Sequence, residues 1–470
     1  MSARNLLTAA AAAALLTACA AGPDYRAPGA IAGTAGPFTS AATAPVNADQ
    51  PPADWWRLYQ DPALDGLVAE ALANNRDLAA AAANLAQVRA SLSEARVGRL
   101  PATTASGAAT RARQANPATG QLVDSETVSA GLDVAYEVDF FGRVGRSIEA
   151  ARADRDAAQA ALDVVRITVA AETARAYADA CAAGAQLDVA QRTLALSEET
   201  AALTRRQLDA GRGTGLDVSR AQAQAESARA AIPPLQAQRD AALFRLSVLV
   251  GRPPAEVSPQ AAACRVIPQI AADLPVGDGA SLLARRPDVR QAERRLAAAT
   301  ARIGVATASL YPQVTLGGSV ASIGGEGRDL GDQVTFSVGP LITWSFPNIL
   351  AARARIAQAD AAAQAALANF EQTTLVALQE TETALSAYGR ELDRRAALRR
   401  ARDESAEAVR LARLRQEAGL DSFLTVLDAE RTLAALEAQL AQSEAQVTSN
   451  QITLFKALGG GWQAEAAPRS

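Results

Sequence analysis

Val128-Ser129-Ala130-Gly131-Leu132-Asp133-Val134-Ala135-Tyr136-Glu137-Val138-Asp139-Phe140 is the stretch whose reading decides the fold. Val128, Ala130, Leu132, Val134, Tyr136, Val138 and Phe140 share one parity, while Ser129, Gly131, Asp133, Glu137 and Asp139 share the other. Successive side chains of a strand point to opposite faces, so this is a strand with one apolar and one polar face. It is long for a half-buried strand and matches the ~9–11 residues that a tilted strand needs to cross a bilayer. Val334, Phe336, Val338, Ile342 and Trp344 alternate in the same way. A weaker partner precedes each run, near 102–111 and 314–322, with Gly-, Asn-, Asp- and Pro-containing loops expected at 112–126 and 323–332. Two hairpins result. Four strands cannot close a barrel, and hydrocarbon tolerates no open sheet edge. If these strands cross a membrane, several chains must share one barrel; the alternative is a soluble β-subdomain.

Working outward, the two hairpins belong to an internal repeat. Leu72–Gly107 overlays Leu283–Gly318 without gaps, pairing Leu72 with Leu283, Asp77 with Asp288, Leu85 with Leu296, Pro101 with Pro312 and Gly107 with Gly318. Arg205–Ala221 overlays Arg413–Ala429, pairing Asp209 with Glu417 and Thr214 with Ser422. Each half therefore carries the same elements in order. A helix from about Asp61 to Leu100, and its counterpart from Pro287 to Tyr311, stops where the following proline disfavours helical backbone. After each hairpin comes a long helical stretch, Gly145–Asp209 and Ala351–Ala418, which turns at Gly211–Gly215 and Gly419–Asp421. Return helices are expected over Leu216–Val250, broken locally at Pro233-Pro234, and over Phe423–Leu458. At ~1.5 Å per residue the long helices extend ~100 Å.

Composition agrees with close-packed helices. The chain has 470 residues, is rich in Ala and only 4% aromatic, and Ala combines the best helix propensity with the smallest footprint. It has no His, which excludes His-based triads, His general bases and His-ligated metals. No paired-carboxylate constellation recurs in the repeat, so no catalytic, metal or cofactor residues are assigned, and an enzyme is not expected. The 46 basic residues, all Arg except Lys456, are balanced by 50 acidic ones. No basic face for nucleic acid arises.

At the N-terminus, Arg4 precedes the apolar run Leu6–Leu16, and Leu16-Thr17-Ala18-Cys19 follows. The run is too short to span a bilayer and reads as a signal peptide. Cys directly after Leu-x-Ala resembles the bacterial lipobox, in which the Cys is acylated and anchors the chain to a membrane. An ordinary signal peptide with a coincidental Cys is the alternative. Cys181 and Cys264 then remain. Export permits a disulfide, but one lies in a helical pattern and the other in a Pro-containing connector, so two small buried apolar residues are the expectation.

The organisation is thus a signal peptide (1–18), a lipidated extended linker (19–54), a first repeat (55–251) with β-hairpin 102–140 and helical hairpin 145–250, a connector (252–280), a second repeat (281–462) with β-hairpin 313–345 and helical hairpin 351–458, and a tail (463–470).

Further motifs carry a family resemblance. Gly22-Pro23-Asp24-Tyr25-x-x-Pro28, Trp55-Trp56 followed by Asp61-Pro62-x-Leu64, and Arg285-Arg286-Pro287-Asp288-Val289 with Ala292-Glu293 are similar to the outer-membrane efflux proteins. So are Phe141-Gly142-Arg143 and Leu458-Gly459-Gly460-Gly461-Trp462. The chain resembles the TolC-like channels, specifically the NodT-type lipoproteins of resistance-nodulation-division systems. The resemblance implies a mainly α fold in which each chain of a homotrimer gives four strands to a shared 12-stranded outer-membrane barrel, continued by a periplasmic α-barrel. It also implies a passive duct for drugs or other small molecules, supplied by an inner-membrane pump through a periplasmic adaptor, with outer-membrane lipid holding acylated Cys19. The alternatives are the channel of a type I protein secretion system and a non-pore lipid-anchored scaffold. Phe346-Pro347-Asn348-Ile349-Leu350 departs from the Gly-rich chain of many relatives after the second β segment.

The same resemblance implies that the two helix turns form the tip that docks the adaptor, through Gly211, Thr214 and Leu216 and through Gly419, Ser422 and Leu424. By itself the pattern also reads as a plain helix hairpin, with Gly closing one helix and Thr or Ser opening the next. Val426-Leu427-Asp428-Ala429 resembles the stretch whose Asp lines the closed periplasmic entrance. Leu424 and Asp428, four apart, share a helix face, and the repeat sets Arg220 opposite Asp428 as a charge partner around a threefold pore. Two solvated helix charges are the alternative. Arg285, Arg286 and Asp288 read as structural ion pairs, Trp55 and Trp56 as packed, and Trp344 as an interfacial anchor.

Overall fold

The computed structural model describes residues 20–29, 31–115, 119–325, 329–331, 333–346 and 349–461. Cys19, the signal peptide, Pro347-Asn348 and Trp462 lie outside them. The described residues form two compact units: one from 20–29, 84–159 and 290–371, the other from 31–83, 160–289 and 372–461.

The first unit carries the sheet. Its strands are β1 (Ala102–Ala115), β2 (Leu122–Val138), β3 (Gln313–Gly324) and β4 (Val334–Thr343), in that spatial order. All neighbours are antiparallel, and the β2–β3 ladder, from Val128 opposite Gly324 to Val138 opposite Val314, joins the two halves of the repeat into one sheet. The first hairpin is longer than the sequence indicated. Most of the segment expected as the loop 112–126 is strand, because Arg111 faces Glu126 and Arg113 faces Asp124 across the ladder, and opposite charges support pairing where apolar alternation has ended. The second loop is likewise shortened, with β3 running on through Ile323.

The second unit holds the main core. Trp55 is fully buried and stacks on Phe455 at 4.9 Å, among Trp56, Tyr59, Leu64, Val68, Leu246, Leu282, Leu385 and Ile452. The first expected helix is two, α1 (Pro62–Asn74) and α2 (Arg76–Val97). Asn75 breaks it: its side chain accepts from Leu78 N–H at 3.0 Å and donates to Leu249 O at 3.0 Å, replacing the helical backbone bonds with a cap.

The long helices are α3 (Arg143–Asp209) and α9 (Ile349–Glu417), and both contribute residues to each unit. The first return is α4 (Gly215–Ala230) and α5 (Ile232–Leu249). They part at Ala231, since Pro233 and Pro234 fit only the first turn of a helix, where no N–H is needed. In the connector come α6 (Pro259–Ala263) and α7 (Gly279–Arg285). The second half continues with α8 (Pro287–Ala308), α9 (Ile349–Glu417) and α10 (Phe423–Ala457).

Cys181 and Cys264 are disulfide-bonded. This corrects the reading of two separate apolar residues: Gly184, one turn along α3, lets the connector backbone approach so closely that a Cβ there would sit 2.4 Å from Cys264 O. The linker expected to run extended is also fastened. Residues Thr39–Thr43 form a 3-10 turn, and Val46–Asn47 pair in parallel with Leu274–Pro275 of the connector. Arg286 donates to Asp288 (2.7 Å), Glu380 (2.8 Å) and Ala457 O (2.8 Å), which gives the Arg-Arg-Pro-Asp motif a structural role.

Candidate functional site

Register fixes the two faces of the sheet. One face carries Val128, Leu132, Val134 and Val138 of β2, Val314, Leu316 and Val320 of β3, and Val334, Phe336, Val338 and Ile342 of β4. Phe336 and Val338 are 80% and 85% exposed. The other face presents Thr104, Ser106, Ser129, Asp133, Ser319, Ser337 and Thr335. An apolar outer face and a hydroxyl-lined inner face are what a strand between lipid and water requires. Among the described residues, both outer strands, β1 and β4, have an unpaired edge in this protomer. Among the described residues no helix is long and apolar enough to cross a membrane, and no group of side chains is arranged to hold a metal.

All four helix junctions lie at one end of this sheet, and an aromatic set collects there. Phe141 stacks on Tyr311 at 4.5 Å and Trp344 on Phe346 at 4.9 Å. Trp344 follows β4 directly, with its indole N–H donating to Leu310 O at 3.1 Å. Tyr311 and Trp344, each with one apolar and one polar side, suit a membrane interface.

The entry of α3 beside them is closely built. Asp139 accepts from the N–H groups of Val144 (3.0 Å) and Gly145 (2.7 Å), capping the helix, and Arg143 pairs with Glu137. Here the N-terminal segment docks. Ala21 N–H donates to Phe141 O at 3.0 Å, and Arg146, almost wholly buried, donates to Ala21 O, Gly22 O and Asp24 Oδ1. Gly22 passes Gly304 so tightly that a Cβ would meet its Cα at 2.5 Å. Tyr25 OH donates to Glu293 at 2.9 Å. Burial first, then the Glu293 contact, raises the Tyr25 pKa well above its ordinary value, so the hydroxyl stays a donor. Arg146 was missed in the sequence; only its nearness to the Phe-Gly-Arg motif hinted at it.

In the second unit each turn keeps its expected residues together. Gly211 and Gly419 both adopt left-handed backbone, φ 70° and 71°. Each is followed by a bond back five residues, Arg212 N–H to Gln207 O (2.8 Å) and Leu420 N–H to Arg415 O (2.9 Å), closing the helix ends alike. Val218 and Val426 turn inward, while Leu216 and Leu424 are exposed. Thr214 forms a full capping box with Asp217. Ser422 stands at the N-cap of α10 but makes no side-chain cap bond. Instead Asp421 holds Arg415 through bonds of 2.7 and 3.1 Å, and this contact lowers the Asp421 pKa. Asp428 accepts from Arg431 at 2.5 Å, one turn along its own helix. Arg220 is exposed and has no ion-pair partner among the described residues.

The sequence profile of the outer membrane efflux protein family matches residues 67–252 and 280–460, one segment for each half of the repeat. The chain belongs to the outer membrane efflux protein family. This efflux protein is 34% identical over 468 residues to the antibiotic efflux pump outer membrane protein ArpC of Pseudomonas putida, covering 98% of this chain and 96% of that one. It is 31% identical over 453 residues to nodulation protein T of Rhizobium leguminosarum bv. trifolii, covering 95% and 96%. Among solved structures, the outer-membrane channel OprN superposes with a TM-score of 0.89 at 38% identity, covering 95% of this chain and 100% of that one. The efflux protein therefore acts in the outer membrane as an exit duct, and the two-faced sheet is the part that crosses it.

Proposed function

We propose that three copies of this efflux protein, each giving four strands, share one twelve-stranded outer-membrane barrel, through which drugs or other small molecules leave passively. The observation that carries this reading is the sheet: an apolar outward face with both edges unpaired has no stable place in hydrocarbon until other chains supply the missing ladders. In this reading the substrate arrives from an inner-membrane resistance-nodulation-division pump through a periplasmic adaptor, and energy comes from the pump. The similarity to ArpC, whose name specifies antibiotic efflux, supports small-molecule export. The test is planar-bilayer conductance of the purified, detergent-solubilised protein after its oligomeric mass is measured. Discrete channel steps from a trimer are expected; a monomer that never inserts would return a pore-free scaffold to first place.

Finer assignments belong to the same proposal. Acylation of Cys19 anchors the chain in the outer membrane, and the docked Ala20–Tyr25 segment holds the chain that follows it. The adaptor docks at the turns, against exposed Leu216 and Leu424 and the backbone shaped by Gly211, Thr214, Gly419 and Ser422. Gly211→Pro and Gly419→Pro should reduce adaptor recovery by correctly assembled trimers. Leu424 and Asp428 line the periplasmic gate, with Arg220 as the charge partner from a neighbouring chain. Asp428→Ala should raise the open population up to about fivefold, the factor equivalent to ~1 kcal/mol for an exposed pair, read as single-channel conductance. Unchanged conductance would remove Asp428 from the gate.

A further inference from the structure

The end of the sheet remote from the helices carries a charged patch that the duct itself does not use. Beyond Val128 the outward face of β2 continues with Glu126 and Asp124, and in register on β1 stand Arg111 and Arg113. The residues between them on the opposite face are Ala112, Gln114, Val123 and Ser125. All four charges thus lie on the lipid-side face, directly past the apolar band, and none on the lumen side of this stretch. Among the described residues of the second hairpin, the outward positions nearest its loop are Ser322, Gly324 and Val334.

The pairing within the patch is loose. Arg111 lies 3.4 Å from Glu126 and 3.8 Å from Asp124, and Arg113 lies 3.4 Å from Asp124. Every one of these side chains is at least half exposed. No guanidinium–carboxylate contact in the patch is closer than 3.4 Å, so two planar forks of donors are only loosely held. Such forks match phosphate oxygens two at a time.

We infer that Arg111 and Arg113 bind the phosphate groups of the phosphorylated glycolipid in the outer leaflet, lipopolysaccharide, with Asp124 and Glu126 as internal competitors. The inference rests on the sheet crossing the outer membrane with its hairpin loops outward. The carboxylates hold the guanidinium groups against the ladder when no lipid is present, and phosphate must displace them. Removing the arginines should therefore weaken lipid binding, and removing the carboxylates should strengthen it.

The experiment uses the full-length oligomer in detergent, titrated with bisphosphorylated lipid A and followed by native mass spectrometry. Arg111→Gln with Arg113→Gln should bind about tenfold more weakly, as expected for loss of charge-assisted hydrogen bonds. Asp124→Asn with Glu126→Gln should bind more tightly than the unaltered protein, a change in the opposite direction that a folding defect would not produce. Equal binding by all three proteins, equal binding of dephosphorylated lipid A, or displacement by inorganic phosphate at matched concentration would each overturn the inference. Planar-bilayer conductance on the same samples separates the two readings. Channel steps with unaltered lipid binding would sink this site alone, and absence of channels from every sample would sink the membrane-crossing sheet beneath it.

Discussion

The long helices α3 and α9 are repeat-related, and each receives a crossing segment of chain against a glycine. On α3 the connector passes Gly184, and the Cys181–Cys264 disulfide locks it there. On α9 the N-terminal linker passes Gly389, where a Cβ would come within 2.2 Å of Thr43 O. Its lock is a pair of charge-assisted hydrogen bonds: Glu382 accepts from the N–H groups of Thr39 (2.7 Å) and Ser40 (2.8 Å). Each long helix thus hosts one crossing segment, and the two segments are held by different fasteners. One fastener is indifferent to acid and sensitive to reductant, and the other is the reverse.

The largest effect expected from this contrast is at the covalent site. Cys181→Ser with Cys264→Ser opens a closure of 83 residues, worth up to about 4.5 kcal/mol in the chain-entropy account. Hydrogen exchange should quicken through the connector at 252–270, and reductant should do the same to the unaltered protein. No change in either experiment would mean that packing at Gly184 alone fixes the connector. Next comes Glu382→Ala, which leaves two N–H groups without a charged acceptor and should cost about 1.5–3 kcal/mol at the linker, seen as faster exchange at 39–47.

Acid sharpens the same comparison. Burial raises the Glu382 carboxyl, but the bonds from Ser40 and Thr39 outweigh it and leave its pKa below the ordinary 4.5. The fastening is therefore fully present above that ordinary value and is lost as pH falls through the lowered one. Linker exchange should quicken over that acid range while connector exchange holds. Simultaneous release of both would place the acid sensitivity elsewhere.

The smallest expected effects lie at the two turns. Thr214→Ala removes a capping box and should destabilise α4 by about 1 kcal/mol, while Ser422→Ala, with no cap bond to lose, should cost under about 0.5 kcal/mol. Proteolytic nicking at the turns reads both. Equal sensitivity would show that the left-handed glycines, not the caps, hold the tips.

Much of this architecture is legible in the sequence because it is periodic. The strands announce themselves through Val128 to Phe140, and the long helices through uninterrupted Ala-rich runs that end at Gly211 and Gly419. What escaped notice is non-periodic. Asn75 divides a helix with one side chain, and Arg111 and Asp124 extend a hairpin through a stretch that polarity alone marks as loop. The disulfide and the Glu382 contact join residues far apart in sequence, and no local pattern encodes them. The turn residues could be named in advance because backbone handedness demands glycine there. Their unequal capping could not, since Thr214 and Ser422 are chemically alike and differ only in what stands three residues on.

The open edges of β1 and β4 also govern the protein before it becomes a channel. A newly exported protomer carries an apolar sheet face and two unsatisfied ladders, which can pair with any extended chain they meet. Completion of the proposed shared barrel needs several protomers, so its rate climbs steeply with their concentration, and so does the rate of wrong pairing. On the proposed shared barrel, protomer concentration therefore sets both the rate of closure and the rate of edge-to-edge aggregation.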